Sequence, residues 1–459
     1  MKIQAILKVY EKLITFAFCA TVLSTFSYSQ EVLLAGGRLI IGDGTVIEQG
    51  SILMDDGLIV AVSSEVIPVS ETTLKINISG KTVIPALIDA HAHLGFQSAA
   101  SWDAENYTFE NIVQNLDQYA YYGFAAVFSA GTDSFPLAQT IQEQQLSGEI
   151  GGARFLFAAG MGPPGQGPND RFLTQLELLE DRMDTQILRG LENTVDAISA
   201  AREVDKQGIP FIKVWIDDRG GSQAKLHPDI YKPLVAEAQR LRIKTFAHQQ
   251  NTADMIEQME AGIAGFLHGR LEQDFSREIA AASRLKQVFI VPNLGLAELR
   301  PLPIGQDEFL QKVLQPSLQK KLSQRPALTE LQLQQRAQLE LALSRSFSLL
   351  KQERAEVILG TDAGAVPDHP FGYTGHKELE IYVRLGYTPM QALMAATSQA
   401  AKHLNLSDLG SIAPGFSADL VILSDNPLDS ISNTQTIERV FLKGVQVDRK
   451  AIATALQTP

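Results

Sequence analysis

The chain has 459 residues, of which 45% are hydrophobic and 20% charged, with 34 Gly and 20 Pro; this fits a globular protein with its own core and excludes a disordered tail, a collagen and a coiled coil. The single cysteine, Cys19, excludes a disulfide scaffold, a Cys-rich zinc module and an iron–sulfur site. A formal charge of −13 is the opposite of the footprint that phosphate backbones or anionic lipid select, so no nucleic-acid partner is expected.

Lys2, Lys8 and Lys12 precede an uncharged run from Leu13 to Phe26, and Ser27-Tyr28-Ser29 then puts small residues at the two positions a signal peptidase reads. Residues 1–29 are expected to be a cleaved signal peptide and the mature chain to be secreted or periplasmic. The apolar run is shorter than the roughly 20 residues of a membrane span, so no stable span is expected after cleavage. Phe18 is too large for the small residue that a lipoprotein signal places before its cysteine.

From residue 30 to 82, β patterns alternate with turns: Arg38 to Ile41, the Gly42-Asp43-Gly44 turn, Ser51 to Met54, the Asp55-Asp56-Gly57 turn, and Leu58 to Val62. The same texture returns within 406–459, in Ala418 to Leu423 and Arg439 to Val445. Neither piece buries a face alone, so the two ends are expected to pair into a small composite β-sandwich domain. Between them, residues 83–405 alternate short apolar runs with helical patterns, the signature of βαβ units. The strand candidates are Thr82–Ala90, Ala125–Ser129, Arg154–Ala158, Phe211–Trp215, Lys244–Ala247, Gly265–Leu267, Val288–Val291 and Glu356–Gly360. The fold class is therefore α/β, and eight such units close a (β/α)8 TIM barrel with every strand end on one rim.

What ends those strands is informative. The first runs into His91-Ala92-His93, and residues two apart on a strand share a face, so both imidazoles can reach one ion. The fourth carries Lys213 inside an apolar run, the fifth ends at His248, the sixth at His268, and the eighth reads Gly360-Thr361-Asp362. Each has a plain reading alone: an edge lysine reaching solvent, a hydrogen-bonded core histidine, a turn aspartate. Together, at five strand ends in a chain with eight histidines, they are hard to obtain from packing, because a strand interior favours Val, Ile or Leu.

These residues resemble the amidohydrolase superfamily of metal-dependent hydrolases, most closely its imidazolonepropionase-related and Xaa-Pro dipeptidase (prolidase)-like branch. The carriers are Val83 to His93, Lys213, His248, His268, Gly360-Thr361-Asp362 and the run Leu409 to Val421. The resemblance implies that His91 and His93 bind one divalent metal, His248 and His268 a second, that a carbamylated Lys213 bridges them, and that Asp362 ligates the first. A free ammonium cannot ligate a cation, whereas a carbamate is an anion with two oxygens. Zinc suits the imidazoles best, with manganese or iron as alternatives. It further implies a metal-bridged hydroxide as nucleophile and Asp362 as general base. Imidazolonepropionases proper use one metal and lack the strand-four lysine, so Lys213 points to the binuclear, prolidase-like group.

The expected enzyme is thus a hydrolase of C–N bonds in small amides such as dipeptides or N-acyl amino acids. A lactonase or cyclic-amide hydrolase, and a non-catalytic binding protein on the same fold, are the alternatives. Gly160 to Pro168 is a substrate lid or a plain connection, and Arg219 a surface ion pair or a carboxylate anchor. His227, His369, His376 and His403 are read as surface or supporting residues, with His376 the exception to watch. The stretch 306–356 is read as a helical crossover with a solvated face, a rim cover or the surface of a homo-oligomer being the alternatives.

Overall fold

The computed structural model describes residues 31–458, so the expected signal peptide, 1–29, lies outside the described residues. β1 (Val32–Ile40), β2 (Val46–Asp55) and β3 (Leu58–Ser63) form an antiparallel meander. The β2–β3 turn is Asp56-Gly57, with φ angles of 47° and 77°, the two-residue geometry that matches the twist of the flanking strands. β4 (Leu74–Asn77) and β5 (Thr82–Pro85) run parallel to β1. From the far end of the chain, β15 (Leu420–Leu423) pairs antiparallel with β5, and β16 (Ile437–Leu442) and β17 (Val445–Gln446) continue outward. The result is one mixed sheet, ordered β17-β16-β15-β5-β1-β2-β3 with β4 beside β1, over a cluster that includes Leu34, Ile52, Val83, Leu420 and Phe441.

The middle of the chain is parallel. β6 (Leu87–Ala92), β7 (Phe124–Ser129) and β8 (Arg154–Phe157) form one sheet. β9 (Ala159–Gly162), β10 (Leu188–Gly190), β11 (Phe211–Trp215), β12 (Lys244–His248), β13 (Gly265–Leu267) and β14 (Phe289–Val291) form another, ordered β10-β9-β11-β12-β13-β14. Only Ala158 separates β8 from β9, and its N–H donates to Ser129 O at 3.2 Å. Past β14, Val357 bridges to Ile290, Ala90 N donates to Leu359 O at 2.9 Å, and Ala363 bridges to Ala92.

Two strand expectations need correction. Thr82–Ala90 is not one strand: Pro85 has no N–H to give, Ala86 N turns to Asp419 O and Leu87 N to Gly123 O, so the chain passes from the mixed sheet to the parallel one at Ala86. Glu356–Gly360 makes bridges and single hydrogen bonds rather than a continuous ladder.

Of the parallel strands, β7, β11 and β14 are buried along their length and read as apolar runs, as strands covered on both faces do, while β8 and β10 are partly exposed. Phe128, Phe211, Phe246 and Phe289, from β7, β11, β12 and β14, pack with ring centroids 5.1–5.4 Å apart and fill the interior below the histidines. The intervening helices carry ordinary terminal signals. Pro228–Arg240 starts on proline, has Asp229 in its first turn and Arg240 in its last, and buries Leu234, Val235 and Ala238. Among the described residues no helix is long and apolar enough to cross a membrane.

Phe246 is fully buried at the centre of this aromatic layer. Phe246→Ala is expected to lower unfolding stability by about 3–5 kcal/mol, read from denaturant midpoints; a loss under about 1 kcal/mol would mean that the layer is not a packed core.

Candidate metal centre

The site begins on β6. Asp89, fully buried, accepts hydrogen bonds from His91 N (3.1 Å), Tyr119 OH (2.8 Å), Thr361 N (3.1 Å) and Thr361 Oγ1 (2.6 Å). It ties the strand that carries His91 to the segment that carries Asp362. Each histidine of the pair is then aimed by its outer nitrogen: His91 Nδ1 meets Asn293 Oδ1 at 2.9 Å and His93 Nδ1 meets Thr132 Oγ1 at 2.8 Å. An amide oxygen at Nδ1 fixes the proton there and leaves Nε2 of His91 as a bare lone pair. Both Nε2 atoms face Asp362 Oδ1, at 3.4 and 3.2 Å, and His268 Nε2 lies 3.6 Å from Oδ2. The donor atoms of His91, His268 and Asp362 all lie within 4.8 Å of one another.

Lys213 needs room, and two glycines make it. A Cβ on Gly131 would stand 2.7 Å from Lys213 Cβ, and one on Gly160 would strike Gly131 O. The Lys213 side chain is fully buried, its Nζ sits 5.3 Å from the Trp215 ring centroid, and it has no hydrogen-bond partner. Burial pushes its pKa down to about 7. His248 Nε2 lies 3.6 Å from Asp217 Oδ2, both without hydrogen-bond partners, and its ring is 4.7 Å from that of His268.

All six residues singled out in the sequence thus come together. His93, Lys213, His248, His268 and Asp362 line one cavity of about 490 Å³, with His91 buried just behind them. Burial drives His91 and His248 well below the usual imidazole range and His268 to about 3, favouring neutral rings. For Asp362 burial works against the charge, while its interactions with His91 and His268, and then His93, lower its pKa. Buried atoms without partners include His91 Nε2, His248 Nε2, Lys213 Nζ, Asp217 Oδ2 and Asp362 Oδ1. Buried polar atoms that converge without partners are the kind of donor set that a divalent cation could complete.

The backbone here is held in uncommon conformations. Asn293 (φ 52°), His268 (φ 74°), Arg219 (φ 50°) and Asp362 (φ 57°) are all left-handed, and such residues concentrate where surrounding structure fixes a functional geometry.

Arg219 forms no ion pair among the described residues; its Nε donates to Gly167 O at 2.8 Å and it lines the cavity, so the surface-pair reading gives way. The 160–168 stretch is part strand, since Ala159–Gly162 is β9, and part connection. Of the remaining histidines, His376 bonds Thr434 and the Tyr122 carbonyl, His403 pairs with Glu356, and His227 caps a helix, so none of these three lines the cavity; His369 Nε2 meets Thr361 O at 3.1 Å. Sequence reasoning missed Asn293 and Thr132. Asn293 follows strand seven as Val291-Pro292-Asn293, the same strand-end position that exposed the histidines, and Gly131-Thr132-Asp133 repeats the Gly360-Thr361-Asp362 pattern.

Gly364 lies two residues beyond Asp362 with φ of 88°, and a Cβ there would strike His93 O. Gly364→Ala is expected to cost at least about 1–3 kcal/mol of stability by denaturation; an unchanged midpoint would show that this loop is free to move.

Residues 311–447 match a family model described as "Amidohydrolase family". Two curated relatives match in short segments: adenine deaminase of Desulfitobacterium hafniense (strain Y51), 38% identical over 68 residues, and imidazolonepropionase of Pyrobaculum arsenaticum, 58% identical over 45 residues. These segments cover 15% and 10% of this chain and 11% of either relative, so the match spans about a tenth of each. Among solved structures, a Xaa-Pro dipeptidase with methionine bound in its active site superposes with a TM-score of 0.69 at 21% identity, covering 91% of this chain and 99% of that one. The chain thus matches that family model over 311–447 and shares its fold with that dipeptidase over nine-tenths of its length.

Proposed function

We propose that the protein is a metal-dependent hydrolase that cleaves C–N bonds in small amides, dipeptides or N-acyl amino acids, with two divalent ions held by His91, His93, Lys213, His248, His268 and Asp362. The observation that carries this reading is the set of buried, unpartnered donor atoms around Asp362. A non-catalytic scaffold has no physical reason to keep such a set, because each bare buried polar group costs about 1–3 kcal/mol. Divalent metal, zinc by the imidazole-rich donors, would supply a water acidified toward neutral pH and a Lewis acid for the substrate carbonyl.

The chain's own groups divide the remaining work. Lys213 is buried, partnerless and biased toward the neutral amine, the form whose nitrogen would add to carbon dioxide and release one proton to solvent, giving an anionic carbamate able to ligate divalent metal. The ionised Asp362 carboxylate takes the proton released as the carbonyl is attacked and returns it to the leaving nitrogen. Arg219, unpaired and facing the cavity, binds a substrate carboxylate. Phe172 and Trp215 line the inner wall and keep water from the reacting carbonyl. We read the parallel strands, with 357–363 as the eighth member, as one (β/α)8 barrel over 83–405, and the mixed sheet as a composite β domain from 30–82 and 406–459. Export by residues 1–29 is part of the same proposal.

Elemental analysis after zinc repletion is expected to find about two metals per chain, and a panel of dipeptides, N-acyl amino acids and lactones to give turnover on amides; well under one metal per chain would return the scaffold reading. Lys213→Ala should lose metal and most activity, with partial rescue by small carboxylates, and wild-type values for both would refute the carbamate. Asp362→Asn should lower kcat by about 10²–10⁴ while the fold holds by circular dichroism; near-normal kcat would remove Asp362 as the base.

A further inference from the structure

The helix Glu330–Glu353 turns one stripe toward the mouth of the cavity: Gln332, Gln335, Arg336, Leu339, Glu340 and Leu343 line it at intervals of three and four residues, the period of a single helical face. The charged members of the stripe are already engaged. Arg336 pairs with Glu298 at 3.7 Å, and Arg384 holds both Glu298 (2.5 Å) and Glu340 (2.8 Å). Leu339, 38% exposed, and Leu343 have no such engagement and present hydrocarbon to the cavity, beside Leu294 and Leu296 of the adjacent helix Leu294–Leu299. Leu341 on the same helix is 67% exposed and does not line the cavity. The apolar wall follows β14, whereas Arg219 stands beyond β11, three strands away in the sheet. One cavity therefore offers a guanidinium on one side, the proposed metal centre below, and a leucine wall on the other. Its volume of about 490 Å³ lies within the roughly 300–1,000 Å³ that suits a ligand much larger than a free amino acid.

We propose that the Leu339–Leu343 wall is the subsite for an apolar acyl group, so that the preferred substrates are amino acids carrying a medium-chain aliphatic acyl group, with the carboxylate at Arg219 and the tail along the helix. This rests on the hydrolase reading for where the scissile bond lies, but the binding preference stands apart from it. A series of N-alkylglycines from ethyl to decyl, which have the carboxylate and the tail but no amide to cleave, separates the two when titrated calorimetrically into the full metal-loaded chain. Affinity is expected to rise about fourfold per added CH2 until the wall is covered, each buried CH2 being worth about 0.8 kcal/mol. Leu339→Glu should flatten the series while leaving the ethyl member within about twofold of wild type, and Leu341→Glu should leave the slope intact. A flat or undetectable series in wild type, or a slope that survives Leu339→Glu, would overturn the subsite. A normal slope in a chain that hydrolyses no amide would sink the hydrolase reading and keep the subsite; amide turnover with a flat series would do the reverse.

Discussion

The structure is organised by the problem of keeping several bare lone pairs together in a buried place. Each unpartnered polar atom costs about 1–3 kcal/mol, and a whole domain is stable by only about 5–15 kcal/mol, so a set that includes His91 Nε2, His248 Nε2, Lys213 Nζ and Asp362 Oδ1 weighs as much as folding itself. The surroundings are arranged to hold the set rather than to neutralise it. Asn293 and Thr132 occupy the outer nitrogens of His91 and His93 and so prevent the rings from turning away. Gly131 and Gly160 leave space that any side chain would close, and Lys213 fills it. A cation held there would offset that cost, and the protein's own hydrogen bonds set where it would sit.

This same tension made the centre legible in the sequence. A lysine in Phe-Ile-Lys-Val-Trp and histidines closing apolar strands are local contradictions, polar groups where packing asks for hydrocarbon, and all six such residues meet. The supporting residues were not legible, because nothing local distinguishes Asn293 or Thr132 from a turn residue; their meaning comes from a histidine 202 or 39 positions away. The break at Ala86 was hidden for a related reason. Val-Ile-Pro-Ala-Leu-Ile-Asp-Ala is uniformly apolar, and only the identity of the hydrogen-bond partner, Asp419 on one side and Gly123 on the other, divides it.

The mouth of the cavity was the least readable part. The helix Glu330–Glu353 has leucines on several sides, so its sequence shows no single apolar face, and a solvated crossover was the natural expectation. The structure gives its two halves different partners. Leu343, Phe347 and Leu350 anchor the C-terminal half in the core, and the N-terminal half projects along the cavity. The cavity mouth thus depends on an element whose inward face is set by where it docks, whereas the centre rests on strand ends whose direction follows from strand geometry.

The connectivity also fixes the order in which the site can exist. Asp89 and Thr361 are 272 residues apart, yet two hydrogen bonds join them, and the backbone bonds Asp362 N to His91 O and His93 N to Ala363 O hold Asp362 against His91 and His93. β6 is in turn continuous with β5, which β15 secures from beyond the last parallel segment. The set of candidate ligands is therefore incomplete until the first and last parallel segments meet, a contact across 272 residues with a correspondingly large loop-closure cost. Metal captured by a partly folded chain would have the strand-end histidines without the Asp362 carboxylate. An ion bound by the complete set would therefore stabilise the closed arrangement at the expense of the open ones by mass action.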